Sequence, residues 1–145
     1  VHRRRARSMV CSCSSVPSFS PVNTGLTPRI PQPPMHDHWE VCAAVAHMHA
    51  LEPPVTHRDL KLENVLGTAD GRYVLCDFGS AFFTTDSDNL PTPYLVSRFY
   101  RAPEVILGQE YDAAIDIWSV AVSLAELFLG KVLFAGKNNS DMLRR

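Results

Sequence analysis

The segment from Tyr111 to Leu129 restricts the fold more than any other part of the sequence. Its apolar residues cover nearly every face of a helix, and Gly130 with Lys131 ends the run. A helix that is apolar on all sides is expected to lie inside a domain. Asp116 and Glu126 interrupt the run, so no apolar stretch is long enough to cross a membrane. We therefore expect this helix to belong to the middle of a larger domain, and too few residues follow it in this sequence to supply the helices that would cover it.

The composition agrees with a globular chain. Hydrophobic residues make up 46% of the 145 residues and charged residues 20%, with a net charge of -1. This balance gives no reason to expect direct nucleic-acid binding or attachment to a membrane. The four cysteines have no framework spacing, which favours reduced thiols in an intracellular protein.

Residues 1–35 differ from the rest of the chain. They contain six of the eleven prolines, many serines and no helical or strand periodicity. Such a segment buries too little apolar surface to offset the entropy of ordering it. We expect a disordered leader there, although its basic start, from His2 to Ser8, is also typical of a targeting segment. Because the chain begins with Val1, we expect it to be a fragment.

Two local patterns follow the leader. Apolar residues recur at helical spacing from Trp39 to His49, with Asp37 as a candidate N-cap, and two prolines after Glu52 stop the helix. The histidines of this helix, His47 and His49, are expected to pack or to face solvent.

A hairpin is predicted further along. Asp70-Gly71 is a tight-turn pair that would join a short strand ending at Leu66 to a second strand over 72–78. The long polar stretch from Ser80 to Ser97 is predicted to be a surface loop, and loops of that length inside compact domains are usually functional.

The residues between helix and hairpin carry the chemistry. The stretch His57-Arg58-Asp59-Leu60-Lys61-Leu62-Glu63-Asn64 places a lysine two positions and an asparagine five positions after an aspartate, and Asp77-Phe78-Gly79 follows the second strand. This order of groups is suited to holding a phosphate, a divalent metal and an acceptor hydroxyl in line. A single aspartate of this kind is usually a solvated loop charge, but the joint spacing favours a site.

Four motifs together resemble one family. They are His57 to Asn64, Asp77-Phe78-Gly79, Ala102-Pro103-Glu104 and Asp116-x-Trp118-Ser119. In order and spacing they resemble the C-terminal lobe of eukaryotic protein kinases, over Asp37 to Arg145. The resemblance implies an α+β fold for 36–145 that is mainly α-helical, with short β-hairpins at a catalytic cleft, and the use of ATP and Mg²⁺ to phosphorylate a protein substrate.

The resemblance also implies roles for single residues. Asp59 would orient the acceptor hydroxyl and take its proton, and Lys61 would offset charge on the transferred phosphoryl group. Asn64 and Asp77 would hold Mg²⁺ and, with Lys61, the nucleotide phosphates. Leu66 would lie beneath the adenine ring, although a core leucine fits equally well.

Further residues would have structural roles. His57 and Phe78 would pack in the hydrophobic column that aligns the two lobes of a kinase. Asp116 would accept hydrogen bonds from the backbone of the catalytic loop, because a carboxylate in so apolar a helix needs such partners. Glu104 would pair with an arginine of a later helix that lies beyond Arg145.

The resemblance extends to regulation. Arg58 and Arg98 would pair with a phosphate on the activation segment and so order it. Tyr94 is the first candidate for that phosphosite and Thr92 the second. Ser97 is expected to hydrogen-bond within the catalytic loop instead.

The subfamily signals point in two directions. Arg101, just before Ala102-Pro103-Glu104, is a mark of the CMGC group, and Thr92 to Gly108 resembles pre-mRNA-splicing kinases of the Prp4 type, followed by DYRK kinases. Glu52 to Ala81 is also similar to the Numb-associated family. The Prp4-type resemblance implies spliceosomal or other nuclear protein partners and an intracellular location, the nucleus before the cytoplasm.

Two functions remain open. The first is a Ser/Thr kinase, with Tyr autophosphorylation, of which this chain is a C-lobe piece. The second is a non-catalytic, truncated kinase-like binding module. This sequence contains no Gly-rich phosphate loop and no Val-Ala-x-Lys strand, so we expect the N-lobe to be absent and the chain alone to be inactive. The upstream reading frame would discriminate between the two functions.

Overall fold

The computed structural model describes residues 39–83 and 97–145. The predicted leader at 1–35, the candidate cap Asp37 and the candidate phosphosites Thr92 and Tyr94 lie outside these described residues. Helices and two small antiparallel sheets make up the described part, in agreement with a mixed α+β class. The helices are α1 (Trp39–His49), α2 (Pro103–Ile106), α3 (Ala114–Leu129) and α4 (Asn139–Met142), and the strands are β1 (Val55–Thr56), β2 (Val65–Gly67), β3 (Tyr73–Leu75) and β4 (Phe82–Phe83).

Helix α1 forms where its apolar spacing predicts it and buries Val45 and Met48. Its first-turn residue Glu40 is bonded to the hairpin. Glu40 Oε2 accepts a hydrogen bond from the backbone N–H of Tyr73 over 2.6 Å, and Oε1 lies 3.7 Å from Nε of Arg72. The start of α1 is therefore attached to the beginning of β3.

The predicted hairpin is present. Strands β2 and β3 pair antiparallel, with Val65 opposite Leu75 and Gly67 opposite Tyr73. Gly71 takes a positive φ of 83° at the tip, a conformation that glycine adopts without steric cost. The second strand ends at Leu75, earlier than predicted, and a 3-10 turn at Phe78–Ser80 follows it.

The second sheet was not predicted. Strand β1 pairs antiparallel with β4, Val55 opposite Phe83 and Thr56 opposite Phe82, in segments for which the sequence predicts loops. Strands of two residues are too short to show an alternating pattern. This pairing places β4 beside the start of the loop 57–64, which we call the catalytic loop.

Helix α3 begins at Ala114, three residues after the predicted start at Tyr111, and ends at Leu129, where Gly130 with a φ of 67° caps it as predicted. The described residues pack around it in two clusters. One consists of Val45, Leu60 and Val120, with Val41, Leu75 and Leu124 against them, and the other of Ala102, Val105 and Ile115, with Tyr111 and Trp118.

The described residues cover the apolar surface of α3 only in part. Ile117 is 56% exposed and Phe128 is 74% exposed. The reason is that α1 and the 3-10 turn at Arg98–Tyr100, which contact α3, leave this apolar surface uncovered. Within 39–83 and 97–145, no helix has both the length and the apolar character needed to span a bilayer.

Candidate active site

Asp116, near the start of α3, holds the catalytic loop. Its side chain is buried, at 1% exposure. Oδ2 accepts a hydrogen bond from the backbone N–H of His57 over 2.7 Å, and Oδ1 accepts one from the N–H of Arg58 over 2.9 Å. Arg58 has a φ of 68°, a left-handed conformation that costs a non-glycine residue on the order of 1–3 kcal/mol. Both hydrogen bonds help to hold the loop in this strained geometry.

His49 of α1 supplies a third partner to the same carboxylate. Its Nε2–H donates to Asp116 Oδ2 over 2.9 Å. His49 thus packs within the fold, and its hydrogen bond to Asp116 was not predicted. A buried carboxylate requires hydrogen-bond partners, and helical spacing alone does not reveal one that lies 67 positions away in sequence.

His57 packs the turn after Asp77 against the loop. Its ring is fully buried and lies 5.0 Å from the ring of Phe78 at a 53° tilt. Nδ1 accepts a 3.3 Å hydrogen bond from the backbone N–H of Asp59, so Nε2 carries the proton and donates to the carbonyl oxygen of Cys76 over 3.1 Å. The imidazole thus connects the catalytic loop to the segment that carries Asp77.

Asp59 lies at the centre of a hydrogen-bonded cluster. Oδ1 accepts from Ser97 Oγ at 2.8 Å and from its backbone N–H at 3.2 Å, while Oδ2 accepts from Lys61 Nζ at 2.8 Å and Asn64 Nδ2 at 3.3 Å. Burial acts to raise the pKa of Asp59, but the hydrogen bonds from Lys61 and Ser97 outweigh it and hold that pKa below its ordinary value. Asp59 is therefore ionised at neutral pH.

Lys61 also contacts Ser97. Its Nζ donates to Ser97 Oγ over 3.0 Å, in addition to its bond with Asp59. An ammonium group has three donors, so one N–H of Lys61 is left after these two bonds. The hydroxyl of Ser97 lies between the carboxylate of Asp59 and the ammonium group of Lys61. Ser97 therefore hydrogen-bonds within the catalytic loop, as predicted.

Asn64 is oriented by the same aspartate. Its Nδ2 donates to the backbone carbonyl of Asp59 over 2.7 Å. Its other amide atom, Oδ1, accepts no hydrogen bond from residues 39–83 or 97–145. The backbone N–H of Cys76 donates to the carbonyl of Asn64 over 2.9 Å, so Asp77 follows directly after a residue bonded to Asn64.

Asp77 presents an exposed carboxylate. It has a φ of 60°, and Oδ1 accepts a 3.3 Å hydrogen bond from the backbone N–H of Gly79. Asn64 Oδ1 and the Asp77 carboxylate are oxygen donors of the kind that Mg²⁺ prefers, so these two side chains could hold such an ion. Residues 39–83 and 97–145 contain no cluster of three or more His, Cys, Asp or Glu side chains of the kind that holds other metals.

The remaining predicted nucleotide contact is less distinctive. Leu66 lies on β2 opposite Val74 and is half-buried. Its position on the same hairpin as Asn64 is compatible with a place beneath a base, and equally with packing in the hairpin.

The two predicted phosphate-pairing arginines lie on different elements. Arg58 Nε donates to the carbonyl of Ser80 over 2.7 Å, whereas Nη1 of the exposed Arg98 donates to the carbonyl of Lys137 over 2.9 Å. They share no partner among the described residues. Glu104, in the first turn of α2, is half-buried, and its carboxylate has no hydrogen-bond or ion-pair partner within 39–83 or 97–145.

Two contacts between Tyr100 and helix α3 were not predicted from the sequence. The hydroxyl of Tyr100, which is 4% exposed, donates to Glu126 Oε2 over 2.6 Å. Burial raises the pKa of Tyr100 far above its ordinary value, and the hydrogen bond to Glu126 raises it further, so the phenol remains protonated. Ser119 Oγ donates to the carbonyl of Tyr100 over 2.8 Å. The only signal in the sequence is the presence of polar residues within an apolar helix.

Together these contacts define what the site can do. An ionised carboxylate, an ammonium group with a free donor and two oxygen ligands for a hard cation lie on the catalytic loop and the adjoining hairpin. The arrangement fits transfer of a phosphoryl group from a metal-bound nucleotide to a hydroxyl.

Comparison with known proteins agrees with this chemistry. The sequence model described as the protein kinase domain matches residues 35–145. The chain is 50% identical over 101 residues to "Serine/threonine-protein kinase prpf4B" of Dictyostelium discoideum, covering 69% of this chain and 12% of that protein.

Other relatives are similar. The identity is 53% over 92 residues with "Serine/threonine-protein kinase prp4" of Schizosaccharomyces pombe, covering 62% of this chain and 19% of that protein. The identity is 41% over 103 residues with "Stress-activated protein kinase JNK" of Drosophila melanogaster, covering 71% of this chain and 27% of that protein. The chain thus spans between 12% and 27% of the length of these relatives. The resemblance to Prp4-type kinases of the CMGC group is confirmed, and the chain belongs to the protein kinase family.

Proposed function

We propose that the protein containing these residues is a serine/threonine kinase that transfers phosphate from ATP to a protein substrate. The observation that supports this most directly is the cluster of Asp59, Lys61 and Asn64, connected through the backbone of Asn64 to Cys76 and hence to Asp77. The hydrogen bond from the Cys76 N–H to the Asn64 carbonyl supports a single site that contains the side chains of Asp59, Lys61, Asn64 and Asp77.

Asp59 would orient the acceptor hydroxyl and accept its proton. Its lowered pKa keeps the carboxylate ionised, and the contacts from Ser97 and Lys61 hold its direction. The remaining N–H of Lys61 would bind an oxygen of the phosphoryl group in transfer. Mg²⁺, when bound to the nucleotide, supplies charge stabilisation, and Asn64 Oδ1 with the Asp77 carboxylate would hold it.

Acceptor preference and regulation are part of the same proposal. A lysine two positions after the catalytic aspartate resembles Ser/Thr-specific kinases, which supports Ser or Thr as acceptor. Tyr94, followed by Thr92, is proposed as the activation-segment phosphosite, through Tyr autophosphorylation in the case of Tyr94. Arg58 and Arg98 are proposed to pair with that phosphate, and their guanidinium groups fit its geometry.

The resemblance to Prp4-type kinases supports nuclear proteins, including spliceosomal ones, as substrates, and a nuclear location ahead of a cytoplasmic one. This proposal rests on similarity to the family, because fold and active site do not name a substrate. We also propose that these 145 residues alone transfer little phosphate, since their sequence contains no Gly-rich loop and no Val-Ala-x-Lys strand.

Incorporation of labelled phosphate from Mg-ATP into a protein substrate tests the function in the complete protein. Asp59→Asn and Asp77→Ala are each expected to reduce the rate by about 100-fold or more. Glu110→Gln, which changes an exposed carboxylate outside the site, is the matched control and should retain the wild-type rate.

Labelling at the wild-type rate by both site variants would show that the proposed function is wrong. The same assay with the 145-residue chain shows whether these residues transfer phosphate on their own. Incorporation by that chain, lost on Asp77→Ala, would contradict the proposal that it is inactive alone, and would also exclude a purely non-catalytic binding module.

A further inference from the structure

The guanidinium group of Arg58 is held at two points. Its Nε donates to the backbone carbonyl of Ser80 over 2.7 Å. Its central carbon, Cζ, lies 4.8 Å from the centroid of the Phe82 ring, within the range of a cation–π contact. One contact is made by Nε and the other by Cζ over the ring, so together they restrict the orientation of the group.

Phe82 is itself fixed by the small sheet. It belongs to β4 and pairs with Thr56 of β1, which is 3% exposed and lies two positions before Arg58. The ring is thus attached to the strand that leads into the catalytic loop. Successive side chains of a strand point to opposite faces, so Phe83, the next residue, does not share the face of Phe82.

The described residues leave the two terminal nitrogens of Arg58 available. A guanidinium has five N–H donors, and Nε uses one of them. Neither Nη atom donates a hydrogen bond to residues 39–83 or 97–145, and no carboxylate of those residues forms an ion pair with Arg58. The side chain is half-buried, so this positive charge has a strong preference for an anion.

We propose that Phe82 is a positioning residue that, with the carbonyl of Ser80, presents both Nη groups of Arg58 to a phosphate ester on the activation segment. Two Nη donors match two phosphate oxygens in the bidentate arrangement that arginine favours. A guanidinium whose orientation is already restricted loses less rotamer freedom on binding. The origin of the phosphate rests on the proposed kinase function, whereas the positioning by Phe82 rests on the contacts themselves.

The test is a titration of the 145-residue chain with inorganic phosphate. Binding is followed by NMR, from the Nε–H signal of Arg58 and from the backbone amides of Gly79 and Ser80. We expect saturable shifts in the wild type and their loss in Arg58→Ala. Phe82→Leu should weaken phosphate binding by about two- to fivefold, the size of an exposed cation–π contact.

Two further variants separate positioning from packing. Phe82→Trp retains an aromatic face and should bind phosphate at least as tightly as the wild type, because indole is the best cation–π partner. Phe83→Leu removes a neighbouring ring of the same strand and is the matched control, for which we expect unchanged binding. Thermal unfolding of each variant shows whether the fold is intact.

Four results would overturn the inference. Three concern the aromatic residues: wild-type affinity in Phe82→Leu, weaker binding in Phe82→Trp than in the wild type, and equal weakening by Phe82→Leu and Phe83→Leu. The fourth is a set of shifts that persists in Arg58→Ala, which would place the phosphate elsewhere. None of these measurements requires ATP or catalysis, so their failure is distinguishable from failure of the kinase function, which the incorporation assay tests separately.

Discussion

The hydroxyl of Ser97 donates to Oδ1 of Asp59 over 2.8 Å, although the two residues are 38 positions apart in sequence. Lys61 closes the cluster by donating to both of them. The segment of Ser97 and the 3-10 turn at Arg98–Tyr100 is therefore connected directly to the carboxylate of the catalytic loop. Changes in that segment can alter the direction and the proton affinity of Asp59 without touching it.

Replacing Ser97 by alanine tests this connection. Ser97→Ala removes one hydrogen bond to a charged oxygen, and such bonds are typically worth about 1.5–3 kcal/mol. We expect kcat of the complete protein to fall by about 10-fold or more, with little change in KM for ATP. Ser97→Thr keeps the hydroxyl and should retain most of the activity. An alanine variant as active as the wild type would contradict a role for this contact.

The lowered pKa of Asp59 predicts how stability depends on pH. Burial alone would raise this pKa, but the hydrogen bonds from Lys61 and Ser97 lower it by more than burial raises it. The carboxylate contacts stabilise the fold fully above the unfolded-state pKa of about 3.9, and this stabilisation is lost as the pH falls through the lower folded-state value. The difference in unfolding free energy between wild type and Asp59→Asn should therefore shrink below about pH 4.

Urea unfolding at pH 6, 4 and 3 measures that difference. Repeating the series in a Ser97→Ala background provides the control, because the folded-state pKa then lies closer to the ordinary value and the difference should shrink less. A difference between wild type and Asp59→Asn that stays constant over this range would contradict the prediction.

Local signals made part of the fold predictable. Asp70-Gly71 indicates the hairpin and Gly130 the end of α3 because each residue type determines the backbone at its own position. The pairing of β1 with β4 was not predictable, since two-residue strands carry no pattern. Which apolar residues of α3 stay exposed, such as Phe128, was not predictable either, because an apolar residue shows where a helix can pack and not whether a neighbour is there.

The candidate site also contains contacts that could be predicted from the sequence and contacts that could not. The spacing of Asp59, Lys61 and Asn64 was informative because all three lie within one loop. The contact of His49 with Asp116 was not, because its partners are 67 positions apart and a histidine on a helix has no preferred use. Contacts of this kind depend on how α1 and α3 are placed, which follows from packing of the whole domain.

The buried carboxylate of Asp116 is expected to be a major determinant of stability. Asp116→Ala leaves the N–H groups of His57 and Arg58 without their acceptor, and it should lower the free energy of unfolding by about 3 kcal/mol or more. Ser123→Ala removes a buried hydroxyl from the same helix and should cost about 1 kcal/mol or less. Urea unfolding compares the two, and equal losses would contradict the role given to Asp116.

A close approach at Gly136 provides a prediction away from the site. A Cβ placed there would lie 2.7 Å from Sδ and 2.8 Å from the backbone nitrogen of Met142. Gly136→Ala should therefore destabilise the fold by about 1–3 kcal/mol. Gly67→Ala, where no atom lies within 4 Å of the added Cβ, should change stability by less than about 0.5 kcal/mol. A similar melting temperature for both variants would contradict this difference.

The β2–β3 hairpin has a consequence for how the chain tolerates insertions. The bond from Cys76 N–H to the Asn64 carbonyl spans the open end, whereas the bond from Thr68 N–H to the Arg72 carbonyl, 2.8 Å long, closes the tip. Residues added beyond Thr68 would lengthen an exposed turn and leave the ladder intact. Deleting one residue between Tyr73 and Cys76 would instead move each following side chain to the opposite face of the strand. Length variation at the tip is therefore compatible with unchanged positions of Asn64 and Asp77, and variation within β3 is not.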